Sequence, residues 1–95
     1  MHVLATEINR HLPACRALKA KRAVLRPIVE GLRSRFRVSV AEVGDQDLWQ
    51  RAKIGAAVVG GTTSRVENVM DEIERWIWAQ PGVEVLSMDR TWMED

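Results

Sequence analysis

The chain has 95 residues, 46% of them hydrophobic, and a formal net charge of +1 at pH 7. This length supports one modest two-layer core but no second interior, so we expect a single domain over residues 1–95. The low net charge excludes a strong overall attraction to nucleic acid or membranes, and the single cysteine excludes an internal disulfide and a multi-cysteine zinc site.

Charge is divided unevenly along the chain. Residues 1–40 contain nine Lys or Arg and two acidic residues, whereas residues 41–95 contain five and eleven. Any attraction to an anionic partner must therefore come from a local patch in the first half. The longest uncharged apolar run, residues 54–59, is far shorter than a bilayer span, so we expect a soluble cytoplasmic protein with no membrane partner.

The first predicted elements are a strand over residues 3–12 and a helix over residues 18–34. Apolar residues alternate along the strand, but Thr6 and Arg10 fall on the same face and weaken the pattern. Pro27 lies inside the helix on its solvent side, where it is expected to bend the helix rather than end it. The apolar stripe of this helix consists of Leu18, Leu25, Ile28, Val29 and Leu32.

Two strands follow, over residues 35–43 and 53–60, and the second is apolar on both faces, as an interior strand is. A second helix begins after a pair of glycines, and the spacing of Ser64 and Glu67 is that of a capping box. A Pro-Gly pair ends the helix, and residues 83–92 form the last strand. The candidate N-caps of the second helix are Thr62, Thr63 and Ser64.

The order strand, helix, strand, strand, helix, strand predicts the fold class. It is typical of an α+β ferredoxin-like βαββαβ sandwich, in which a four-stranded antiparallel sheet has both helices on one face. The other face of the sheet is left uncovered. We therefore expect that face to be available for pairing or binding.

Two segments carry a resemblance to a known family: LKAKR at residues 18–22 and VSVAEVGDQDLWQRA at residues 38–52. From about residue 3 to residue 86 the chain resembles the YlxP-like proteins, a family of small uncharacterised bacterial proteins. The resemblance implies the ferredoxin-like fold and a bacterial cytosolic setting, but it brings no activity or catalytic residues. Genes of this family often lie among those for translation initiation and ribosome maturation, which associates the family with RNA or ribosomes.

The chain departs from the family pattern at three positions. Ala17 stands at the expected N-cap of the first helix, where the family commonly has Ser, and this absence of a side-chain acceptor costs roughly 1 kcal/mol. Thr6 and Arg10 stand where the family tends to be apolar. We therefore expect the first strand to be less buried, shifted in register or covered by a partner.

A row of cations on the first helix gives the first functional hypothesis. Its members recur at spacings of three, four and seven, which places them along one side of the helix. Such a row can contact RNA phosphates without reading sequence, although Glu30 lies in the same row and lowers its potential. The members of the row are Lys19, Arg22, Arg26 and Arg33, and residues that could extend it are Arg16, Arg37, Arg51 and Lys53.

This hypothesis describes a non-catalytic protein that binds ribosomal RNA or the ribosome. The chain lacks the stacking aromatics that an RNA-recognition motif carries on its inner strands, and it lacks a Gly-x-x-Gly clamp. Contact would thus follow shape and charge. The alternative interpretation of the same row is a solvated, ion-paired helix surface.

The four tryptophans give a second hypothesis, a protein-interaction or homodimerisation module without a nucleic-acid role. Trp76 falls beside the apolar stripe of the second helix, and Trp49 is expected to close one end of the sheet. Trp78 and Trp92 are harder to bury, and exposed tryptophan is enriched at interfaces. Both are therefore candidate interface residues, together with the open sheet face.

No catalytic constellation is predicted, and we expect no enzyme activity, cofactor, metal or small-molecule substrate. Cys15 is interpreted as a small apolar filler and His11 as a structural histidine, because neither has a suitable partner at short spacing. Three acidic residues could hold a divalent ion, but a turn that Asp45 or Asp47 caps, with Gly44 relieving the backbone, is favoured. The acidic residues are Glu42, Asp45 and Asp47.

Overall fold

The structure is a computed structural model that describes residues 1–82 and 84–93. Its elements are β1 (His2–His11), α1 (Leu18–Phe36), β2 (Ser39–Gly44), β3 (Arg51–Gly60), α2 (Thr63–Trp78) and β4 (Glu84–Met93). The predicted order is confirmed. Most bounds agree within two residues, but β2 begins at Ser39 rather than at residue 35, and the predicted start of the last strand, Val83, lies outside the described residues.

The four strands form one antiparallel sheet in the order β2-β3-β1-β4. In β1 and β3 alternate residues are buried beneath α1 and α2, so both helices cover the same face. The predicted ferredoxin-like βαββαβ sandwich is therefore confirmed. Apolar side chains from both layers form the core, including Leu4, Ile8, Ile54, Val58, Leu25, Ile28, Leu32, Val66, Met70, Ile73 and Ile77.

Each edge strand carries one extra residue that interrupts its pairing. In β2, Glu42 pairs with Ile54 and Gly44 with Lys53, which leaves Val43 between them. In β4, the residue left over in the pairing with β1 is Leu86. Such an insertion bends the strand and increases its local twist.

The expectation of a less buried first strand is wrong, and the irregularity in its register is the extra residue of β4 opposite Asn9 and Arg10. Thr6 and Arg10 are 2% and 0% exposed on the helix-facing side of β1, and the register with β3 is regular. Arg10 reaches the C-terminal end of α2, where its Nη2 donates to the Ile77 carbonyl at 3.5 Å. A long polar side chain can occupy a core position when its polar end reaches a backbone acceptor at the edge of the core. Burial lowers the pKa of Arg10 to about 10, so the guanidinium stays charged at neutral pH.

The interpretation of Cys15 as an apolar filler agrees with its position, since the side chain is buried in the core. His11 lies at the end of β1, with Nδ1 3.2 Å from Glu84 Oε2 across the pair with β4. Further along β4, Arg90 donates hydrogen bonds of 2.7 to 2.8 Å to Glu74 and Asp71 of α2. These carboxylates raise the pKa of Arg90 above its ordinary value.

The helix ends follow the predictions in part. Ala17 is the N-cap of α1 in extended backbone and makes no side-chain capping bond, and Pro27 is exposed within a helix that continues to Phe36. At α2, Thr62 is the N-cap, and its side chain accepts from the Arg65 backbone N–H at 3.3 Å. Ser64 lies inside α2, so the predicted pairing of Ser64 with Glu67 as a capping box is wrong.

Ala17→Ser should raise the free energy of unfolding by about 1 kcal/mol, because a serine hydroxyl can accept from a free amide of the first turn. Urea denaturation followed by circular dichroism measures the change. Ala17→Val is the matched control, because valine adds side-chain atoms without a hydroxyl and ranks with alanine at N-caps. Equal stabilities of the serine and valine variants would contradict a capping effect.

Candidate nucleic-acid interface

The exposed side of α1 carries a hollow of about 610 Å³ that three cations and three apolar residues line together. The cations, Lys19, Arg22 and Arg26, span about 10 Å along the helix axis at 1.5 Å per residue. We call these three residues the basic surface. The apolar residues of the hollow are Leu18, Ala23 and Pro27.

The charge of the basic surface is directed to solvent. Lys19, Arg22 and Arg26 are exposed. Within residues 1–82 and 84–93, the side chains that form ion pairs through a basic group are those of His11, Lys21 and Arg90, so no described carboxylate pairs with the basic surface. Of the alternative interpretation, a solvated and ion-paired helix surface, the solvent exposure is observed and the ion pairs are not.

Arg33, the fourth predicted member of the row, is placed differently. Its Nη2 donates to the Val40 carbonyl of β2 at 2.9 Å, so the guanidinium links α1 to the edge of the sheet. A second hollow, of about 350 Å³, lies between α1 and β2, and two carboxylates line it together with three cations: Glu30 and Glu42 with Arg22, Arg26 and Arg33. The potential is therefore more positive at Lys19 than along the rest of the row.

The predicted extensions of the row do not all join it. Arg51 and Lys53 alternate along β3 with the buried Ala52 and Ile54, which places them on the sheet face away from α1. Arg37 has a left-handed backbone at the far end of α1, where its N–H caps the helix. Arg16, directly before α1, adjoins the basic surface.

Sequence reasoning missed Lys21, which lies beside the basic surface but is only 1% exposed. Its Nζ donates to the Asp45 carbonyl at 2.6 Å and lies 2.9 Å from Glu42 Oε1. The contact with Glu42 has the distance of an ion pair without the angles of a hydrogen bond. The sequence held a signal for this burial, because residue 21 falls on the apolar stripe of the helix, between Leu18 and Leu25.

The acidic segment after β2 forms the favoured turn, but the left-handed backbone of this turn lies at Asp45 and not at Gly44. Asp45 has a φ of 58°, and its carbonyl accepts from the Leu48 N–H at 3.0 Å. Asp tolerates this left-handed conformation better than most residues, because its short side chain interacts locally with the backbone. Glu42 faces Lys21 instead of its acidic neighbours. In the part of the chain that the structure describes, no group of three or more His, Cys, Asp or Glu side chains could hold a metal ion.

The β2–β3 loop, residues 45–50, is docked on the segment that leads into α1. Gln50 Nε2 donates to the carbonyls of Pro13 and Cys15 at 3.4 and 3.3 Å, and the Gln50 carbonyl accepts from the Leu12 N–H at 2.9 Å. Trp49 does not bury its ring to close the sheet, because 53% of the residue is exposed. The expectation that Trp49 closes one end of the sheet is therefore wrong. The docking contacts come from the side chain of Gln50, and the Trp49 ring stays exposed.

The other tryptophans lie apart from one another. Trp76 is partly buried, and its ring lies 6.3 Å from that of Phe36. Trp78 is 64% exposed at the end of α2, whereas Trp92 is 36% exposed and pairs with Leu4 near the start of β1. The end of α2 that carries Trp78 lies beside Arg10 of β1, whereas Trp92 pairs with Leu4, six residues earlier in that strand. At the rise of a β-strand, Trp78 and Trp92 therefore lie roughly 20 Å apart.

Trp92 also lies on the helix side of β4, beside His2 at 6.5 Å between ring centroids. Trp78 and Trp92 therefore do not form one surface with the uncovered sheet face. The interface hypothesis stays a prediction, and the geometry supports it less than it supports the basic surface.

The fold and the surface define a small ferredoxin-like α+β protein with a basic helix on one face of its sheet. The chain belongs to the family described as "Protein of unknown function (DUF503)", which matches residues 3–90. It is similar to "Uncharacterized protein YlxP" of Bacillus subtilis (strain 168), with 37% identity over 68 residues, 72% of this chain and 74% of that protein. The YlxP-like resemblance is confirmed, and the family carries no catalytic assignment.

Two solved structures share the fold. The de novo designed protein LFR1 1, described as having a ferredoxin fold, has a TM-score of 0.56 and 9% identity, covering 100% of this chain and 88% of its own. The de novo designed protein Foldit4 has a TM-score of 0.57 and 15% identity, covering 99% and 100%. At these identities the likeness concerns the fold alone. Among the described residues, neither helix is long and apolar enough to cross a membrane.

Proposed function

We propose that this protein is a non-catalytic RNA-binding protein of the bacterial cytoplasm, and that the basic surface of α1 contacts phosphates of ribosomal RNA. One observation carries the proposal: Lys19, Arg22 and Arg26 are exposed in one hollow, and no described carboxylate forms an ion pair with them. Exposed cations held in a row on a rigid helix match the repeating charge of a nucleic-acid backbone. The gene neighbourhood that the family resemblance implies is in line with ribosomal RNA.

The number of cations sets the strength of this binding. Three phosphate contacts give a slope of about −2 to −3 for the logarithm of affinity against the logarithm of salt concentration. Affinity should then fall roughly 30-fold between 50 and 200 mM salt. Binding through three phosphate contacts would be weak, and the shape of the RNA would supply the selectivity.

The uncovered sheet face gives little support to an alternative mode of RNA binding. In β3 the residues that point to this face are Arg51, Lys53, Gly55, Ala57 and Val59. None has a ring on which a base could stack, in contrast to the aromatic strands of RNA-recognition motifs. We therefore place the phosphate contacts on α1.

The double variant Arg22→Glu/Arg26→Glu tests the proposal. Both side chains are exposed, so the fold should survive, while binding to a ribosomal RNA fragment should weaken at least tenfold and lose most of its salt dependence. Fluorescence anisotropy across a potassium chloride series measures both quantities. Circular dichroism verifies that the variant is folded.

The matched control is Arg65→Glu/Arg75→Glu on α2, which makes the same change of charge at two other exposed positions. It should weaken binding far less. Equal weakening in the two double variants would reduce the effect to overall charge, and unchanged affinity in the α1 variant would refute the proposal.

A further inference from the structure

Trp49 lies in a small hollow at the end of the sheet, in the segment that carries most of the family resemblance. The hollow measures about 380 Å³ and is shallow, so it is open to a ligand that lies flat on the surface. Half of the tryptophan is exposed although the residue stands in a loop with defined contacts. The hollow is lined by Asp47, Leu48, Trp49, Gln50 and Arg51.

The loop that carries Trp49 is fixed at both sides. Before it, Asp45 closes the turn to Leu48 and accepts the hydrogen bond of Lys21. After it, the side chain of Gln50 bonds to two carbonyls, those of Pro13 and Cys15. A loop fixed in this way loses little conformational entropy when a ligand stacks on the ring that it carries.

The same contacts place the loop next to the basic surface. Lys21, which holds the Asp45 carbonyl, stands between Lys19 and Arg22 on α1. Gln50 bonds the Cys15 carbonyl, directly before Arg16. The loop thus lies at the N-terminal end of α1, where Arg16 and Lys19 stand, while Arg51 of the same hollow lies on the sheet face away from α1.

This combination of charge and ring fits a nucleotide better than a protein surface. The cations complement phosphates, and a ring gives any base a π-face on which to stack. A dry protein interface depends on a broad apolar patch with few charges in its centre. Trp49 instead shares its hollow with the charged Asp47 and Arg51, and Leu48 is the other apolar residue of that lining.

We infer that Trp49 is a stacking platform for an unpaired base of the RNA whose phosphates lie on the basic surface. The inference rests on the proposed function and specifies its ligand. The ligand is RNA in which a paired stem adjoins an unpaired loop or end, because the row of cations follows a backbone and the ring requires a base outside the stack. A fully paired duplex would use the cations alone.

Two RNA probes test the inference: a blunt duplex, and a hairpin with the same stem and a single-stranded loop. Trp49→Ala should weaken hairpin binding by about 5- to 100-fold, as expected for the loss of one stacked base, and leave duplex binding unchanged. Trp49→Phe should retain most of the hairpin affinity, because its ring can still stack. Trp78→Ala is the matched control, since Trp78 is exposed on α2 and lines neither the hollow of the basic surface nor that of Trp49.

The outcomes separate this inference from the proposed function. Equal weakening of both probes by Trp49→Ala would show a structural role for the ring and overturn the inference. Unchanged hairpin binding in Trp49→Ala, with loss in Arg22→Glu/Arg26→Glu, would overturn the inference alone. If the wild-type protein bound neither probe, the proposed function and the inference would both fall.

Discussion

Glu42→Gln should lower the free energy of unfolding by about 3 kcal/mol, because it leaves the ammonium of Lys21 without its counter-ion in the protein interior. The Lys21 side chain is 2% exposed and that of Glu42 27% exposed, so Lys21 cannot turn to water without opening the contact between α1 and β2. Glutamine keeps the size of the side chain and removes its charge. Urea denaturation at neutral pH measures the loss.

The double variant Lys21→Met/Glu42→Gln serves as the control. It removes both charges and replaces the buried ammonium with an apolar side chain of similar length, so most of the lost stability should return. A loss below about 1 kcal/mol in Glu42→Gln would show that water already solvates the pair, as it does for surface ion pairs.

Arg10→Met should have the opposite effect and raise the free energy of unfolding by about 2 kcal/mol. Among the described residues, Arg10 Nε and Nη1 have no hydrogen-bond partner, and the bond from Nη2 to Ile77 is long at 3.5 Å. Methionine fills a similar space without a charge. Arg10→Ala is the control, because it removes the charge but leaves a cavity and should destabilise the protein.

The effect of Arg10 should not vary with pH near neutrality. Burial lowers the pKa of Arg10 to about 10, so the folded state releases this proton at a lower pH than the unfolded chain does. The cost of the buried charge is therefore fully present below about pH 9 and is relieved only as the pH rises through the folded pKa. Denaturation of both variants between pH 6 and 8 checks this, and a lower stability of Arg10→Met than of wild type would contradict the argument.

The fold could be predicted because its signals are local. The apolar stripes of the helices, the apolar run of β3 and the glycine and proline breaks each depend on neighbouring residues. The start of β2 was misplaced because Phe36 and Val38 favour a strand by type, whereas α1 continues to Phe36 and ends at Arg37 in a left-handed cap. A left-handed helix C-cap formed by a residue other than glycine is difficult to recognise in a sequence.

The only part of the candidate site that could be predicted is the part whose placement depends on helical periodicity. The spacing of Lys19, Arg22 and Arg26 was enough to place them on one side of a helix. The roles of Lys21 and Arg10 depend on carbonyls 24 and 67 residues away along the chain, which no local pattern contains. Trp49 is exposed because Gln50 makes the docking contacts, and the sequence does not show which of two adjacent side chains turns inward.

The extra residues at Val43 and Leu86 limit how this protein can meet its partners. An edge strand with an unbroken ladder of free backbone groups invites another chain to continue the sheet, and this leads to strand exchange and aggregation. Here both outer strands are interrupted at one point, so an incoming strand would lose its register there. Addition of a strand is therefore disfavoured at both edges of the sheet, which leaves the side chains of helices and loops as the surfaces better suited to contacts.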